Sequence, residues 1–217
     1  MRNDMQNVTH IIAIRHGETA WNVDGRIQGW LDIPLNDKGQ WQAARAAQAL
    51  RTAPIDAIYA SDLWRAYSTA LEIAKPHALT PFTHEGLRER VFGVFQGKTF
   101  EEVRALWPDL AERWRKRELD FAPEGGESLL QFRERIVNAA SGIAQANPGK
   151  TVVLTAHGGV MDVLYREATG QGLDATRTWE LGNAAINRLL WNGETFSLIG
   201  WNDISHLEDE ALSDETA

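Results

Sequence analysis

Ile11-Ile12-Ala13-Ile14-Arg15-His16-Gly17-Glu18-Thr19 decides how this chain is read. An apolar run stops abruptly at a cation, an imidazole and a glycine. About four to eight consecutive apolar residues between turn signals describe a strand buried on both faces. In open α/β sheets, ligands are met just beyond the carboxyl ends of such strands. Arg15 and His16 stand at that end, and Gly17 permits a sharp turn and close approach of a ligand. A second stretch repeats the pattern: Thr151-Val152-Val153-Leu154-Thr155-Ala156 runs into His157-Gly158-Gly159.

Working outward, residues 8–14 are expected to be the first strand, and Trp21 to Leu35 a loop punctuated by Asp24-Gly25, Gly29 and Pro34. Asn36-Asp37-Lys38-Gly39 opens an alanine-rich helix to Leu50. Ile55–Ala60 is a short strand, and Ser61 or Asp62 is expected to cap the helix that Pro76 closes. Residues 81–98 are expected to be irregular. Thr99-Phe100-Glu101-Glu102 and Ser128-Leu129-Leu130-Gln131 have the form of capping boxes. The first starts a helical region broken by Pro108 and ending near Arg117, and the second a long amphipathic helix to about Ala146. A helix over 160–168 and a terminal hairpin over 185–191 and 195–201 complete the series. Alternating strands and helices predict the α/β class, a three-layer α/β/α sandwich on a mostly parallel mixed sheet. With no fixed-period repeat or linker, residues 1–217 are expected to form one domain, with 1–7 and 206–217 as flexible tails.

Composition narrows the function. The 217 residues include no cysteine, which excludes disulfides and thiolate chemistry and fits a reducing compartment. No apolar stretch reaches the roughly 18–20 residues of a membrane span, and the polar N-terminus lacks a signal-peptide core. A cytoplasmic location is therefore expected, with no membrane partner, as monomer or homodimer. The net charge of −8 argues against nucleic acid. It does not exclude a local basic pocket for a small phosphorylated substrate.

Arg15-His16-Gly17 and His157-Gly158-Gly159 would converge with Ser61-Asp62-Leu63-Trp64-Arg65 and Leu87-Arg88-Glu89-Arg90 if their strands are neighbours. Two imidazoles, several guanidiniums and a carboxylate suit a phosphoryl group. Guanidinium matches phosphate bidentately, and backbone N–H groups at turns such as Gly17 and Gly158 add fixed donors. Arginines beside an imidazole lower its pKa, so one histidine would stay neutral and attack phosphorus. A carboxylic acid would protonate the leaving alkoxide and then activate water. The residues alone leave open Glu89 or Glu18 as that acid, and His16 or His157 as nucleophile.

The motif Arg15-His16-Gly17-Glu18-Thr19 resembles the RHGE signature of the histidine phosphatase superfamily, in its phosphoglycerate mutase-like branch. The likeness continues through Asn22, Gly29-Trp30-Leu31-Asp32, Leu35, Gly39, Ser61-Asp62 with Arg65, Glu89 with Phe92-Gly93, Gly126-Glu127-Ser128 and Thr155-Ala156-His157-Gly158. These follow the family's order over about residues 8–190. The resemblance implies a phosphoglycerate mutase-like fold and His16 as the nucleophile that becomes phosphohistidine. Arg15, Arg65 and His157 would bind the phosphoryl oxygens, assisted by Asn22, with Glu89 as acid and then base. It implies no metal, in line with the lack of a HExxH or paired-Asp spacing.

Within the resemblance, Gln96 is mutase-like, whereas the interval from Glu89 to His157 is short for a mutase. The expected activity is thus a metal-independent phosphatase acting on small phosphomonoesters. A phosphoglycerate mutase, an isomerase using 2,3-bisphosphoglycerate, is the alternative, and a non-catalytic phospho-ligand module a third reading. The basic cluster Arg113, Arg115, Lys116 and Arg117 reads as a solvated helix face, with a substrate contact as the competing reading. Trp21 and Trp30 are candidates to wall the entrance. Gly93-Val94-Phe95-Gln96-Gly97-Lys98-Thr99 is one residue short of a P-loop, and no strand leads into it.

Overall fold

The computed structural model describes residues 8–208. Its centre is a six-stranded sheet. The strands are β1 (Thr9–Arg15), β2 (Ala57–Ala60), β3 (Phe82–Thr83), β4 (Thr151–Ala156), β5 (Ile186–Trp191) and β6 (Phe196–Asp203). Their order is β3-β2-β4-β1-β5-β6. β3, β2, β4 and β1 run parallel, and β5 and β6 add the antiparallel hairpin. Seven α-helices among the described residues surround it: α1 (Ala20–Val23), α2 (Asp37–Leu50), α3 (Trp64–Ala74), α4 (Phe100–Leu106), α5 (Pro108–Arg115), α6 (Leu129–Gln145) and α7 (Gly158–Thr169).

The unbroken apolar run of β1 is explained by helices on both faces. Ile11 and Ala13 pack with Phe132, Ile136 and Ala140 of α6 and with Val160 and Leu164 of α7. Ile12 and Ile14 pack with Ala47 and Leu50 of α2 and with Ala70 and Ile73 of α3. Each fully buried aliphatic side chain contributes about 1.5–3 kcal/mol, so slipping β1 by one residue would exchange two different cores. The mostly parallel mixed sheet between two helical layers is the expected α/β/α sandwich. A third cluster, Phe95, Val103, Ala111 and Phe121 with Trp107 and Trp114 against it, forms under α4 and α5, beside the carboxyl ends of the strands.

Local signals set the helix ends. Thr99 and Ser128 form complete capping boxes with Glu102 and Gln131. Asn36 caps α2 through Gly39 N–H, and Pro108 occupies the first turn of α5, where its missing N–H costs nothing.

Four local expectations are corrected. Neither Ser61 nor Asp62 caps α3. Its first N–H, on Trp64, goes to Asp32 Oδ1 at 2.7 Å, from a loop 32 positions earlier. The supposed loop from Trp21 carries the short helix α1, and the irregular 81–98 region contributes β3, paired parallel to Tyr59 and Ala60. Of the expected tails, 1–7 and 209–217 lie outside the described residues. Residues 206–208 instead belong to the packed body, where Arg45 Nε donates to the His206 carbonyl at 2.7 Å.

Candidate active site

The sheet register builds the site. β1 and β4 are parallel neighbours with Arg15 opposite Ala156, so His16 and His157 leave the sheet side by side. Their ring centroids are 5.3 Å apart with planes at 62°. Ala60 of β2 pairs with Thr155, which delivers Ser61 and then Arg65 to the same end. A cup of about 190 Å³ opens there, lined by Arg15, His16, Asn22, Arg65, Glu89 and Gly158, among others.

The tautomers follow from the hydrogen bonds. His16 Nδ1 is 2.7 Å from the Gly17 carbonyl, which only accepts, so Nδ1 carries the proton. Nε2 then holds the lone pair. Among the described residues, His157 Nε2, at 2.8 Å, is the one acceptor within reach of the Ser61 hydroxyl, so that proton points to Nε2 and His157 carries its own on Nδ1. Both histidines are held well below the usual imidazole pKa, first by burial and then by the charge of Arg65. Arg15 adds to this for both, and the Gly17 carbonyl opposes it only for His16. Both rings are therefore neutral at pH 7.

Two guanidiniums are oriented by carbonyl oxygens. Arg65 donates Nη1 to Leu31 O at 2.8 Å and Nη2 to Gly29 O at 2.7 Å. Arg15 donates Nη1 to Leu181 O. Burial lowers Arg65 to about 10, against the raising effect of Glu89 and Asp32, so it remains a cation at neutral pH. Three buried nitrogens around His16 have no partner among the described residues: Arg15 Nε, Arg65 Nε and His157 Nδ1. Buried donors without acceptors are costly and uncommon in native structures. Three around one neutral imidazole outline the place of an anion.

Glu89 closes the side of the cup. Its Oε1 accepts the Arg90 N–H at 2.8 Å and its Oε2 the Gly159 N–H at 3.0 Å. A Cβ on residue 159 would lie 2.2 Å from Glu89 Oε1, so glycine there makes room for the carboxylate. Asn22 Oδ1 accepts the Thr19 N–H at 3.0 Å, completing the capping box that Thr19 forms at the start of α1, while Asn22 also lines the cup.

Glu18, Gly17, Gln96 and the tryptophans Trp21 and Trp30 stand outside the lining of the cup. Glu18 lies outside the cup, between Asn36 Nδ2 at 3.0 Å and Lys38 Nζ at 3.0 Å, which hold its carboxyl below the usual range. Gly17 offers no donor to a substrate, because its N–H goes to Thr69 Oγ1 at 3.2 Å. Its missing side chain instead admits the Gly39 carbonyl, which a Cβ would meet at 2.3 Å. Gln96 Oε1 accepts the Trp30 N–H at 2.9 Å and supports the loop whose Gly29 carbonyl orients Arg65. Neither Trp21 nor Trp30 lines the cup. Trp30 Nε1 donates to the Glu89 carbonyl at 2.8 Å, and so braces the segment that carries the carboxylate.

The family model for the histidine phosphatase superfamily, branch 1, matches residues 11–204. The chain belongs to that superfamily. It is 36% identical over 214 residues to "Phosphoglycerate mutase-like protein 4" of Arabidopsis thaliana, covering 96% of this chain and 92% of the relative. It is 37% identical over 205 residues to "Metal-independent phosphoserine phosphatase" of the same plant, covering 92% and 84%. Among solved structures, Bacillus stearothermophilus YhfR superposes with a TM-score of 0.86 at 31% identity, covering 92% of this chain and all of that one.

In this histidine phosphatase, several supporting residues escaped the sequence reading. Arg135 pairs with both Glu127 oxygens at 2.7 Å and donates to the carbonyls of Gly86, Arg88 and Glu89. It clamps the loop behind the Glu89 carboxylate. Arg88 pairs with Asp62 and stacks 4.6 Å over Trp30. Asn183 Nδ2 donates to the His16 carbonyl at 2.9 Å. These are ordinary polar residues in sequence, and only their partners distinguish them.

Proposed function

We propose that the protein is a phosphomonoesterase that works through phosphorylated His16. The observation that carries this reading is the trio of unpartnered buried nitrogens around a neutral imidazole whose Nε2 lone pair is free. A tetrahedral phosphoryl group supplies acceptors for all three. At about 4 Å and an effective dielectric near 20, one guanidinium–phosphate contact has a Coulomb energy of about 4 kcal/mol before desolvation. Preorganised cations of this kind stabilise the charge of the transferring group.

In the first step, His16 Nε2 attacks phosphorus and the ester P–O bond breaks. Glu89, as the carboxylic acid, gives its proton to the departing alkoxide oxygen. In the second, the Glu89 carboxylate takes a proton from water, the oxygen attacks phosphorus, and the P–N bond breaks. Neutral His16, phosphate and protonated Glu89 are regenerated. Arg15, Arg65 and His157 Nδ1 hold the phosphoryl oxygens throughout, and Asn22 assists at the rim. The positive charge that phosphoryl transfer needs comes from these side chains, so we propose that no metal ion takes part. A chelator is expected to leave the rate unchanged.

The test is to trap the intermediate. The enzyme is mixed with p-nitrophenyl phosphate, quenched in alkali, and its peptides are weighed. A phosphate on the peptide containing His16 is expected, and Ala at position 16 should abolish both label and turnover. Undiminished turnover by that variant would sink the proposal, and ligand binding with no turnover by either protein would favour a binding module. The similarity to a mutase-named relative motivates a second reading, in which the phosphoryl group returns to the substrate. Gln96, the mutase-like feature, supports a loop and does not reach the cup. Incubation with 3-phosphoglycerate, with and without 2,3-bisphosphoglycerate, separates the two: isomerisation outrunning phosphate release would favour the mutase.

A further inference from the structure

Trp30 stands outside the lining of the cup and is 38% exposed, so burial in a core does not explain a tryptophan there. Its contacts run to both halves of the site. The carbonyls on either side of it in the chain, Gly29 O and Leu31 O, accept from Arg65 Nη2 at 2.7 Å and Nη1 at 2.8 Å. Its own indole Nε1 donates to the Glu89 carbonyl at 2.8 Å. We propose that Trp30 is a positioning residue, whose indole ties the loop that aims the phosphoryl-holding guanidinium to the backbone of the acid. Arg65 and Glu89 are then placed relative to each other through one side chain. This rests on the hydrolase reading above and adds to it the residue that keeps the acid in register with phosphorus.

The Glu89 carbonyl is an effective point to hold. It shares a planar peptide unit with the Arg90 N–H, which points the opposite way and donates to Glu89 Oε1 at 2.8 Å. Fixing the carbonyl therefore fixes the N–H across the same plane, and with it the carboxylate. Were the indole N–H removed, that plane would be free to tilt and would carry the acid with it. The Gly159 N–H, at 3.0 Å from Oε2, would remain as the second tether.

Both ends of this connection are stiff. At the arginine end, Gln96 Oε1 accepts the Trp30 N–H at 2.9 Å and the Phe92 N–H at 3.3 Å. Asp32 Oδ1 holds the N–H of Trp64, the residue before Arg65, at 2.7 Å. At the indole end, the guanidinium carbons of Arg88 and Arg135 lie 4.6 Å and 6.0 Å from the ring centroid. Cations near an aromatic face are attracted by its quadrupole, which fixes the ring plane and the direction of its N–H. Both arginines also belong to the surroundings of the acid. Arg88 precedes Glu89 and donates Nε to Asp62 Oδ1 at 2.7 Å, and Arg135 Nη2 donates to the Glu89 carbonyl at 3.1 Å.

The test compares glycerol 3-phosphate, whose leaving oxygen needs a proton, with p-nitrophenyl phosphate, whose leaving group does not. Trp30→Phe keeps an aromatic ring beside the guanidiniums and removes the N–H. It should lower kcat on the alkyl ester about tenfold and on the aryl ester less than about threefold, with KM unchanged for both. Histidine Nε2 occupies the ring position of indole Nε1, so Trp30→His should recover most of that loss despite its smaller ring. A merely structural role would follow ring size and give the reverse order. In the Glu89→Gln background, Trp30→Phe should have no further effect on the alkyl ester, because no acid is left to place. The proposal is overturned by full activity of Trp30→Phe, by equal losses on both esters, by the Phe variant outperforming the His variant, or by the same tenfold loss in the Glu89→Gln background. Labelling of His16 by p-nitrophenyl phosphate is measured on the same preparations. Its absence from the wild type removes the hydrolase reading, whereas its presence alongside any of those results removes the role of Trp30 alone.

Discussion

The cup and a hollow of about 210 Å³ beside it, which share Glu89 and Phe92, are built in different ways. In the cup, Arg15, His16 and His157 stand at the ends of adjacent parallel strands, and Arg65 in the first turn of a helix that follows a third. His16, His157 and Arg65 are buried and Arg15 is half-buried, and the two arginines are aimed by backbone carbonyls. In the hollow, Arg117 follows a helix end and Arg177 sits in a loop, one half-committed and the other exposed. Register determines the first set to within fractions of an ångström. Anchors several residues away determine the second. Chemistry that tolerates little displacement sits on the sheet, whereas the side chains of the hollow sit on loops and helix ends, where replacement disturbs little.

Four experiments sharpen or break that contrast. The largest effect is expected from Glu89→Gln, which should slow hydrolysis of alkyl phosphates by about 10²–10⁴-fold. The loss should be much smaller for p-nitrophenyl phosphate, whose leaving group needs no proton. Equal losses on both esters would remove Glu89 as the acid. Next is Gly159→Ala, whose Cβ would meet Glu89 Oε1 at 2.2 Å. Displacing the carboxylate by about 1 Å is expected to cost about 10²-fold in kcat. Retention of full activity would show that the cup is softer than its geometry.

The third concerns pH. His16 and His157 are buried and neutral, with folded pKa values below the unfolded value near 6.5. Below that pH the unfolded chain binds protons that the folded cup refuses. Stability should therefore fall as pH drops from about 6.5, by up to about 1.4 kcal/mol per pH unit for each histidine, until the folded pKa is reached. Denaturant midpoints between pH 7 and 5 measure this, and Asn at position 157 should reduce the slope. An unchanged slope would mean that the ring is charged in the native cup. The smallest effect is expected from Asp32→Ala, which removes the remote cap of α3. About 1 kcal/mol of stability should go, read from the same denaturation curves. No loss would show that the N–H of Trp64 finds water instead.

Much of the site could be read from one dimension because the family's residues sit in short motifs at strand ends. The apolar run before Arg15-His16 and the one before His157 each announce a buried strand and the point where it stops. What failed to show was anything resting on a distant partner. Ser61 and Asp62 have the composition of helix caps, yet α3 is capped by Asp32, because the loop after β1 folds back over that helix. Glu18 and Glu89 are chemically equivalent in the sequence, yet Lys38 and Asn36 hold the first while the second lines the cup. Arg117 and Arg115 are alike in sequence, but Arg115 pairs on its own helix with Glu112 while Arg117 reaches Asp162 of α7.

Sequence alone determined the layered α/β class, the two histidine-bearing strands and the residue types around them, because periodicity, glycine turns and caps are local properties of the chain. Tertiary structure alone decided that β1 and β4 are neighbours, which carboxylate shares the cup, which nitrogen of each histidine bears the proton, and where Arg177 stands. Each of these depends on which backbone carbonyl or carboxylate lies within about 3 Å, and that is a property of register and packing between segments far apart in the chain.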